Sequence, residues 1–365
     1  MLALAAALLA STQAEPIKIG ALFSTTGSFA SVDVPGLEGF KLAAVKINAR
    51  GGVLGRQIEV VAPDFQSDPS KAGEITKRLI SQGVVAMGGF YDTDYALPAG
   101  KVAEKMRIPM VTSGATLPTL PTTIGQYFFM ACYGDDDQAR AGAWFTLKGL
   151  DAKTTVLLKD VDATYTKNLG NYFALAYSGL GGKLSQIIDF NSEESVQSVI
   201  RKIRVKPEAF YVSVLPEDAG PFTKALRAAG YKQPIISGDG FDTPDLVKDA
   251  GKAANNVFYT THYAPNAKDA RTLGFKRTYH DLFGTWPDSA ASALAYDTMN
   301  LIADAIDRAG SVEPGKIRYA LATTKEFPGV TGTITYAPGK RKPKKSIFVL
   351  RVHEGKEELV KTVSP

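Results

Sequence analysis

The stretch Ile17-Lys-Ile-Gly-Ala-Leu-Phe23, with the two elements that follow it, decides the fold. It is a mostly apolar run of strand length. Downstream, Leu37, Phe40, Ala44 and Ile47 recur at spacings of three and four, the pattern of one buried helix face. Ile58-Glu-Val-Val61 then returns to strand character. A strand, a helix and a second strand in succession predict parallel pairing, because parallel neighbours need a crossover and a helix is the usual one.

The same alternation continues along the chain. Strand-like runs recur at Val84-Val-Ala-Met87, Met110-Val-Thr112, Val156-Leu-Leu158, Ala209-Phe-Tyr-Val-Ser-Val-Leu215, Ile235-Ile236 and Val257-Phe-Tyr-Thr-Thr261. A second helical stripe runs through Tyr165, Leu169, Tyr172, Ala176 and Leu180. Asp68-Pro69 and Thr243-Pro244 read as N-caps followed by proline at the first helical position. The pattern runs from residue 17 to near 130, restarts near 155 and continues past 330. About eleven strands in one open parallel sheet would be unusual, and single cores stop growing near ~250–300 residues. The 365-residue chain is therefore expected to be α/β, with two doubly wound, Rossmann-like lobes built on mainly parallel sheets. Gly134-Asp-Asp-Asp137 is a plausible crossing between them. Open parallel sheets bind ligands beyond the carboxyl ends of their strands, where helix N-termini present free N–H groups. With two lobes, the natural site is the cleft between them.

Composition narrows the class. Apolar residues make up 45% and charged residues 22%, and the net charge is +5, the balance of an ordinary soluble domain. The basic cluster Gly-Lys-Arg-Lys-Pro-Lys-Lys over 339–345 reads as a solvated turn on account of its Gly and Pro, and a nucleic-acid partner is not expected. Cys132 is the only cysteine, so no internal disulfide can form, and a small core residue is the expected role. Met1-Leu-Ala-Leu-Ala-Ala-Ala-Leu-Leu-Ala10 is too short to span a bilayer as a helix, and Thr12-Gln13-Ala14 has the small residues of a signal-peptidase site. Residues 1–14 are thus expected to be a signal peptide. It lacks the usual positively charged start, which points to a true start further upstream. The mature chain is expected to be exported to the periplasm.

The stretch Met87-Gly-Gly-Phe-Tyr-Asp-Thr-Asp-Tyr-Ala-Leu-Pro-Ala-Gly100 raises three chemistries: a phosphate cradle, a carboxylate pair and a cradle for another small ligand. The phosphate-binding Gly-x-x-x-x-Gly-Lys-Ser/Thr spacing is absent, and Gly88-Gly89 do not match the dinucleotide fingerprint. His262, His280 and His353 lie far apart, and no Gly-x-Ser-x-Gly elbow occurs, so neither a metal centre nor a hydrolase triad is indicated. Asp92 and Asp94 would share a face on a strand and diverge on a helix, where acids at the start are common for structural reasons. What remains is a set of polar strand-end loops: Ser24–Ala30, Tyr91–Asp94, Thr112–Thr116, Asp160–Tyr165 and Ser237–Asp242. Their hydroxyls, N–H groups, carboxylates and aromatics suit a small zwitterion.

Three segments then carry a resemblance. Lys18-Ile-Gly-Ala-Leu-Phe-Ser-Thr-Thr-Gly27, Gly36-Leu-Glu-Gly-Phe-Lys-Leu-Ala43 and Ile47-Asn-Ala-Arg-Gly-Gly-Val-Leu-Gly-Arg-Gln-Ile-Glu59 resemble the opening of branched-chain amino-acid (Leu/Ile/Val-type) periplasmic binding proteins of ABC importers. Asp68-Pro-Ser-Lys-Ala72, Ile108-Pro-Met-Val-Thr-Ser-Gly-Ala-Thr116 and Ala295-Tyr-Asp297 extend the likeness over essentially the whole mature chain. The resemblance implies the type I periplasmic-binding-protein fold: two lobes joined by three hinge crossings that close on a solute and deliver it to a membrane permease. The expected division is 15–134 with 262–336 for the first lobe and 135–261 with 337–365 for the second. A monomer without cofactor or metal is expected.

Carried over by position, the resemblance places the carboxylate-binding hydroxyl on Thr93, backbone contacts on Gly114 and Ala115, and a hydroxyl with its N–H on Thr116. Tyr165 supplies the second lobe's aromatic and Asp239 the acid for the ligand ammonium. Val32 stands where leucine binders carry a first-loop aromatic, with Phe29 as a nearby substitute, and Val214-Leu215 where they often carry a tyrosine. Asp92 and Asp94 flank the carboxylate-binding hydroxyl. Either they cap the helix or the ligand carries extra positive charge. Structural alternatives are N-capping by Thr93 and Thr116, a core Tyr165, and an Asp239 paired with lysine or arginine. The rival functions are capture of an aromatic or other organic acid, or of an amide such as urea; a ligand sensor; and an enzyme, which the missing nucleophile–base constellation disfavours.

Overall fold

The computed structural model describes residues 14–364; the expected signal peptide, apart from Ala14, lies outside the described residues. The first sheet consists of β1 (Ile17–Leu22), β2 (Ile58–Val61), β3 (Ala86–Gly89), β4 (Met110–Thr112) and β5 (Phe128–Met130), in the order β2-β1-β3-β4-β5 and parallel throughout. The second contains β6 (Thr154–Asp160), β7 (Lys183–Phe190), β8 (Ala209–Ser213), β9 (Ile235–Ser237) and β10 (Val257–Thr261). A two-stranded hairpin follows, β11 (Phe327–Gly329) with β12 (Gly332–Ile334). Finally β13 (Ile347–His353) and β14 (Lys356–Val363) join the second sheet, whose order is β14-β13-β10-β9-β8-β6-β7. Only β13 is reversed there, pairing antiparallel with both β10 and β14.

The central strands of each sheet are buried on both faces, which is why they read as apolar runs rather than as alternating ones. Ile17, Ile19 and Ala21 face the helices Ala30–Ala49 and Ala290–Ala309, whereas Leu22 and Met87 face the helices Ala72–Ser81 and Thr93–Met106. In the second sheet Val156 and Leu158 point to one core and Leu157 to the other. The helices Ala30–Ala49 and Ala290–Ala309 cross so closely at Gly39 that a Cβ there would sit 2.0 Å from the Ser292 carbonyl oxygen. Any side chain at Gly39 would push these two helices apart.

The chain passes from the first sheet to the second after β5, returns after β10, and crosses again before β13. It therefore has two lobes and mainly parallel sheets. The expected caps are present: Asp68 accepts from the Ser70 N–H at 3.0 Å, and Thr243 Oγ1 from the Asp245 N–H at 3.3 Å.

Three expectations are corrected. The stripe of helix Thr164–Gly179 continues from Tyr165 and Leu169 to Phe173 and Tyr177, with Phe173 stacked on Tyr211 at 3.6 Å, while Leu180 lies exposed. The run at Val84 enters the sheet two residues late, at Ala86, and extends through Gly89. The basic cluster is not a solvated turn. Lys342 binds Asp136 and Asp137 at 2.8 and 2.7 Å, joining two of the inter-sheet connections. Lys345 is buried and donates to the Ala131 carbonyl at 3.0 Å and to Thr331 Oγ1. Cys132 is buried as expected, and burial pushes its thiol pKa up.

Candidate functional site

The turn from β3 into the helix Thr93–Met106 sets the first side of the site. Phe90 adopts φ 56°, in the left-handed region, at a cost of order 1–3 kcal/mol for a non-glycine residue. The neighbouring strand ends fix it. Its N–H donates to the Leu22 carbonyl at 2.7 Å, and its carbonyl accepts from the Gly114 N–H and Thr112 Oγ1, each at 3.0 Å. This bend turns Tyr91 inward between Gly36 and Gly114. A Cβ on Gly114 would lie 2.2 Å from the Tyr91 ring, so only glycine fits.

Asp92 is the N-cap of that helix, its Oδ1 accepting from the Asp94 N–H at 2.7 Å. Thr93 therefore occupies the first helical position and is not the cap. Its Oγ1 is buried and has no hydrogen-bond partner among the described residues. Thr116 is no cap either, since the next helix starts at Leu120. Asp94 faces the other lobe. Its carboxylate accepts from the Thr164 N–H at 3.1 Å and from Thr164 Oγ1. The helix Thr164–Gly179 has no side-chain cap of its own at Ala163. Asp94 thus caps it from across the cleft.

The second lobe contributes a hydrogen-bonded cluster around Asp239. Tyr165 donates its hydroxyl to Asp239 Oδ1 at 2.8 Å and accepts from the Gly240 N–H at 2.8 Å. Tyr165 is at once a core aromatic and a site residue. Gln138 Nε2 reaches the same Oδ1 at 2.8 Å and Asp135 Oδ1 at 2.8 Å, while its Oε1 accepts from Thr260 Oγ1 at 2.9 Å. His262 Nε2 lies 3.0 Å from Asp239 Oδ2, and its ring stacks on Tyr133 at 3.6 Å. The contact has ion-pair geometry, but burial lowers the His262 pKa despite the neighbouring carboxylate. We therefore treat the imidazole as a neutral donor. No lysine or arginine pairs with Asp239 among the described residues.

Between the two sides lies a cavity of about 50 Å³. Phe29, Val32, Tyr91, Asp92, Gly114 and Thr116 line it from the first lobe, and Tyr165, Leu215, Pro216, Asp239 and Gly240 from the second. Of the residues singled out in the sequence, Phe29, Asp92, Gly114, Thr116, Tyr165 and Asp239 thus meet at one cavity. Thr93 and Ala115 do not line it. The Ala115 N–H is committed to Thr112 Oγ1 at 3.1 Å and the Gly114 N–H to Phe90. Gln138, His262 and Pro216 were not singled out for the site. Gln138 sits beside Asp135–Asp137, where a buried amide is indistinguishable from a surface one by sequence alone.

Burial dominates the electrostatics. It raises Asp92 to about 7, with the Asp94 charge adding to the effect. It raises Asp33, behind the cavity wall, to about 8, and Asp135, beside Asp239, to about 8. Such a site is short of positive charge. It offers one hydroxyl-rich helix start and one carboxylate fixed by neutral donors, facing each other across two lobes.

A family model described as "Periplasmic binding protein" matches residues 16–357. The chain belongs to the periplasmic binding protein family. This periplasmic binding protein is 25% identical over 325 residues to the Leu/Ile/Val-binding protein BraC3 of Rhizobium johnstonii, covering 88% of this chain and 87% of that one. Its fold superposes on the branched-chain amino acid transporter substrate binding protein LivJ of Streptococcus pneumoniae, solved in complex with isoleucine, with a TM-score of 0.90, 29% identity and coverage of 96% and 100%. It also superposes on the leucine binding protein LivK of Thermotoga maritima, with a TM-score of 0.88, 29% identity and coverage of 96% and 99%. The family and fold of this periplasmic binding protein are those of extracytoplasmic solute-binding proteins that work with ABC transporter permeases.

Proposed function

We propose that this chain is exported to the periplasm, captures an amino acid between its lobes and presents it to the permease of an ABC importer, catalysing no reaction. The observation that carries this reading is the polarity of the cleft. On one side Thr116 lines the cavity, and behind the lining the buried Thr93 hydroxyl stands unpartnered at a helix start. On the other, Asp239 has neutral donors but no basic partner. Hydroxyls and helix-start N–H groups favour a carboxylate, and a fixed carboxylate favours an ammonium.

In this reading Thr93 and Thr116 take the ligand carboxylate, and Gly114 lines the cavity beside them with its own N–H bonded to the Phe90 carbonyl. Asp239 takes the ammonium, held in place by Tyr165, Gln138 and His262. Phe29, Val32 and Leu215 contact the side chain. The lobes divide at 134/135, 261/262 and 336/337, and closure about those crossings buries the solute. The protein acts as a monomer. The names of relatives that bind leucine, isoleucine and valine support an amino acid over an organic acid or amide.

Calorimetric titration tests the reading. An amino acid is expected to bind one-to-one, its deaminated acid at least about a hundred-fold more weakly, with Asp239→Ala giving a comparable loss. Undiminished amino-acid binding by Asp239→Ala would sink the assignment.

A further inference from the structure

The two oxygens of Asp239 are not equivalent. Oδ1 takes both the Tyr165 hydroxyl and the Gln138 amide, each at 2.8 Å. Oδ2 has His262 Nε2, at 3.0 Å, as its one partner among the described residues. Each carboxylate oxygen has two lone pairs, so Oδ1 is filled and Oδ2 has one place left, next to the imidazole. The Gln138 amide cannot turn over, because its Oε1 accepts from Thr260 Oγ1 at 2.9 Å and from the Asp239 N–H at 3.2 Å. Of the three side chains that donate to Asp239, His262 alone can acquire a positive charge. It is buried and follows β10 at one connection between the lobes, stacked on Tyr133 from another. A carboxylate oxygen only accepts, so the neutral ring carries its proton on Nε2. Its Nδ1 is then a bare acceptor, buried and without a partner among the described residues. A second proton there would make a buried N–H with nothing to receive it.

We propose that His262 is a positioning residue through which a proton competes with the solute: neutral, it leaves the Asp239 charge to the ammonium; protonated, it takes that charge for itself. This inference rests on the amino-acid reading and deepens it. An ammonium seated on Oδ2 lies beside the imidazole. An imidazolium there would repel it while sharing the same negative charge. The surrounding groups leave this competition in place. Lys345 adds a charge that opposes protonation of His262. Tyr133 and Cys132 keep their protons, burial raising the pKa of both. Asp135 is bonded to Gln138 rather than to the ring, and Asp242 accepts from Thr261, the residue before His262. Burial lowers the His262 pKa from 6.5, so the ring is neutral at neutral pH and the competition begins only in acid. There the free protein takes up the proton more readily than the loaded one, and affinity falls as the pH falls.

The test is calorimetric titration with L-leucine, or with the tightest-binding other standard amino acid should leucine not bind, from about pH 8 to about pH 5. His262→Gln is the comparison, because its terminal amide nitrogen stands in for Nε2 as a donor that cannot be charged. Asp92 and Asp135, raised to about 7 and about 8, titrate in both proteins, so the readout is the ratio of the two affinities. The ratio of wild-type to variant affinity is expected to fall at least about three-fold over this range, and by no more than about ten-fold per pH unit, the limit for one proton. A second measurement needs no variant. Ring signals of His262 in nuclear magnetic resonance are expected to titrate at lower pH in the loaded wild type than in the free one, with His280 and His353, which lie at the surface, as references. A constant affinity ratio, or a His262 titration that the ligand leaves unmoved, overturns the inference. If that happens while an amino acid still binds through Asp239, the amino-acid reading stands. If no amino acid binds at any pH, both fall.

Discussion

Thr93 carries the proposed carboxylate contact at the scale of a single side chain. A hydroxyl that is buried and unpartnered costs stability wherever it serves no partner. Thr93→Val removes the hydroxyl at nearly constant shape, so the ligand-free protein is expected to melt at an equal or higher temperature. Affinity for the amino acid is expected to fall about ten-fold, the weight of a hydrogen bond to a charged group. Loss of stability with unchanged affinity would assign Thr93 a structural role instead. Asp33 makes a second residue-scale case. Burial raises its pKa from 3.8 to about 8, so the folded state binds the proton more tightly than the unfolded chain. Its contribution is therefore complete below pH 3.8 and lost as the pH rises through about 8. Asp92 and Asp135 act with the same sign, whereas His262, with its lowered pKa, acts with the opposite one. The difference between the wild type and Asp33→Asn isolates one group. Thermal melts are expected to show the variant gaining stability relative to the wild type between pH 5 and pH 8, and a constant difference would refute this. The residues themselves pointed only to the polar strand-end loops, and the family resemblance singled out Thr93, Thr116, Tyr165 and Asp239 within them, of which the last three line the cavity. Which way Asp92 and Asp94 point was not legible, since two acids two residues apart carry no signal for direction.

At the scale of elements, the cap that Asp94 gives to the helix Thr164–Gly179 ties the lobes together at the cleft. Capping side chains contribute about 0.5–2 kcal/mol, and this one is available only when the lobes meet. Asp94→Ala is expected to weaken amino-acid affinity by about two- to thirty-fold, the equilibrium equivalent of that range. The melting temperature of the ligand-free protein should change little. An unaltered affinity would show that the contact does not help closure. The sequence marked both helix starts but not their pairing, because contacts between lobes leave no local period. Strand recognition failed for similar reasons. β5 is a short edge strand of the first sheet. β7 is a half-exposed edge strand whose Lys183-Leu-Ser-Gln-Ile-Ile-Asp-Phe190 mixes polar and apolar residues. Central strands such as β4, β8 and β10, buried on both faces, were located to within a few residues.

For the whole molecule, the alternation of strands and helices and the limit on single-sheet size were enough to predict two lobes. The antiparallel β13–β14 addition to the second sheet escaped that reasoning, which addressed only parallel units. The hinge region was likewise opaque. Lys342 and Lys345 belong to a cluster whose composition suggests solvent, yet they bond to Asp136, Asp137, Ala131 and Thr331, binding the connections to one another. The whole-molecule claim is that two lobes close on an amino acid with its carboxylate towards the helix start at Thr93 and its ammonium on Asp239. A crystal structure of the protein saturated with its tightest-binding amino acid tests this most directly. It is expected to show the carboxylate within about 3 Å of the Thr93 and Thr116 hydroxyls and the ammonium as close to an Asp239 oxygen. A solute bound outside the cleft, or lying in it with its carboxylate towards Asp239, would contradict the account.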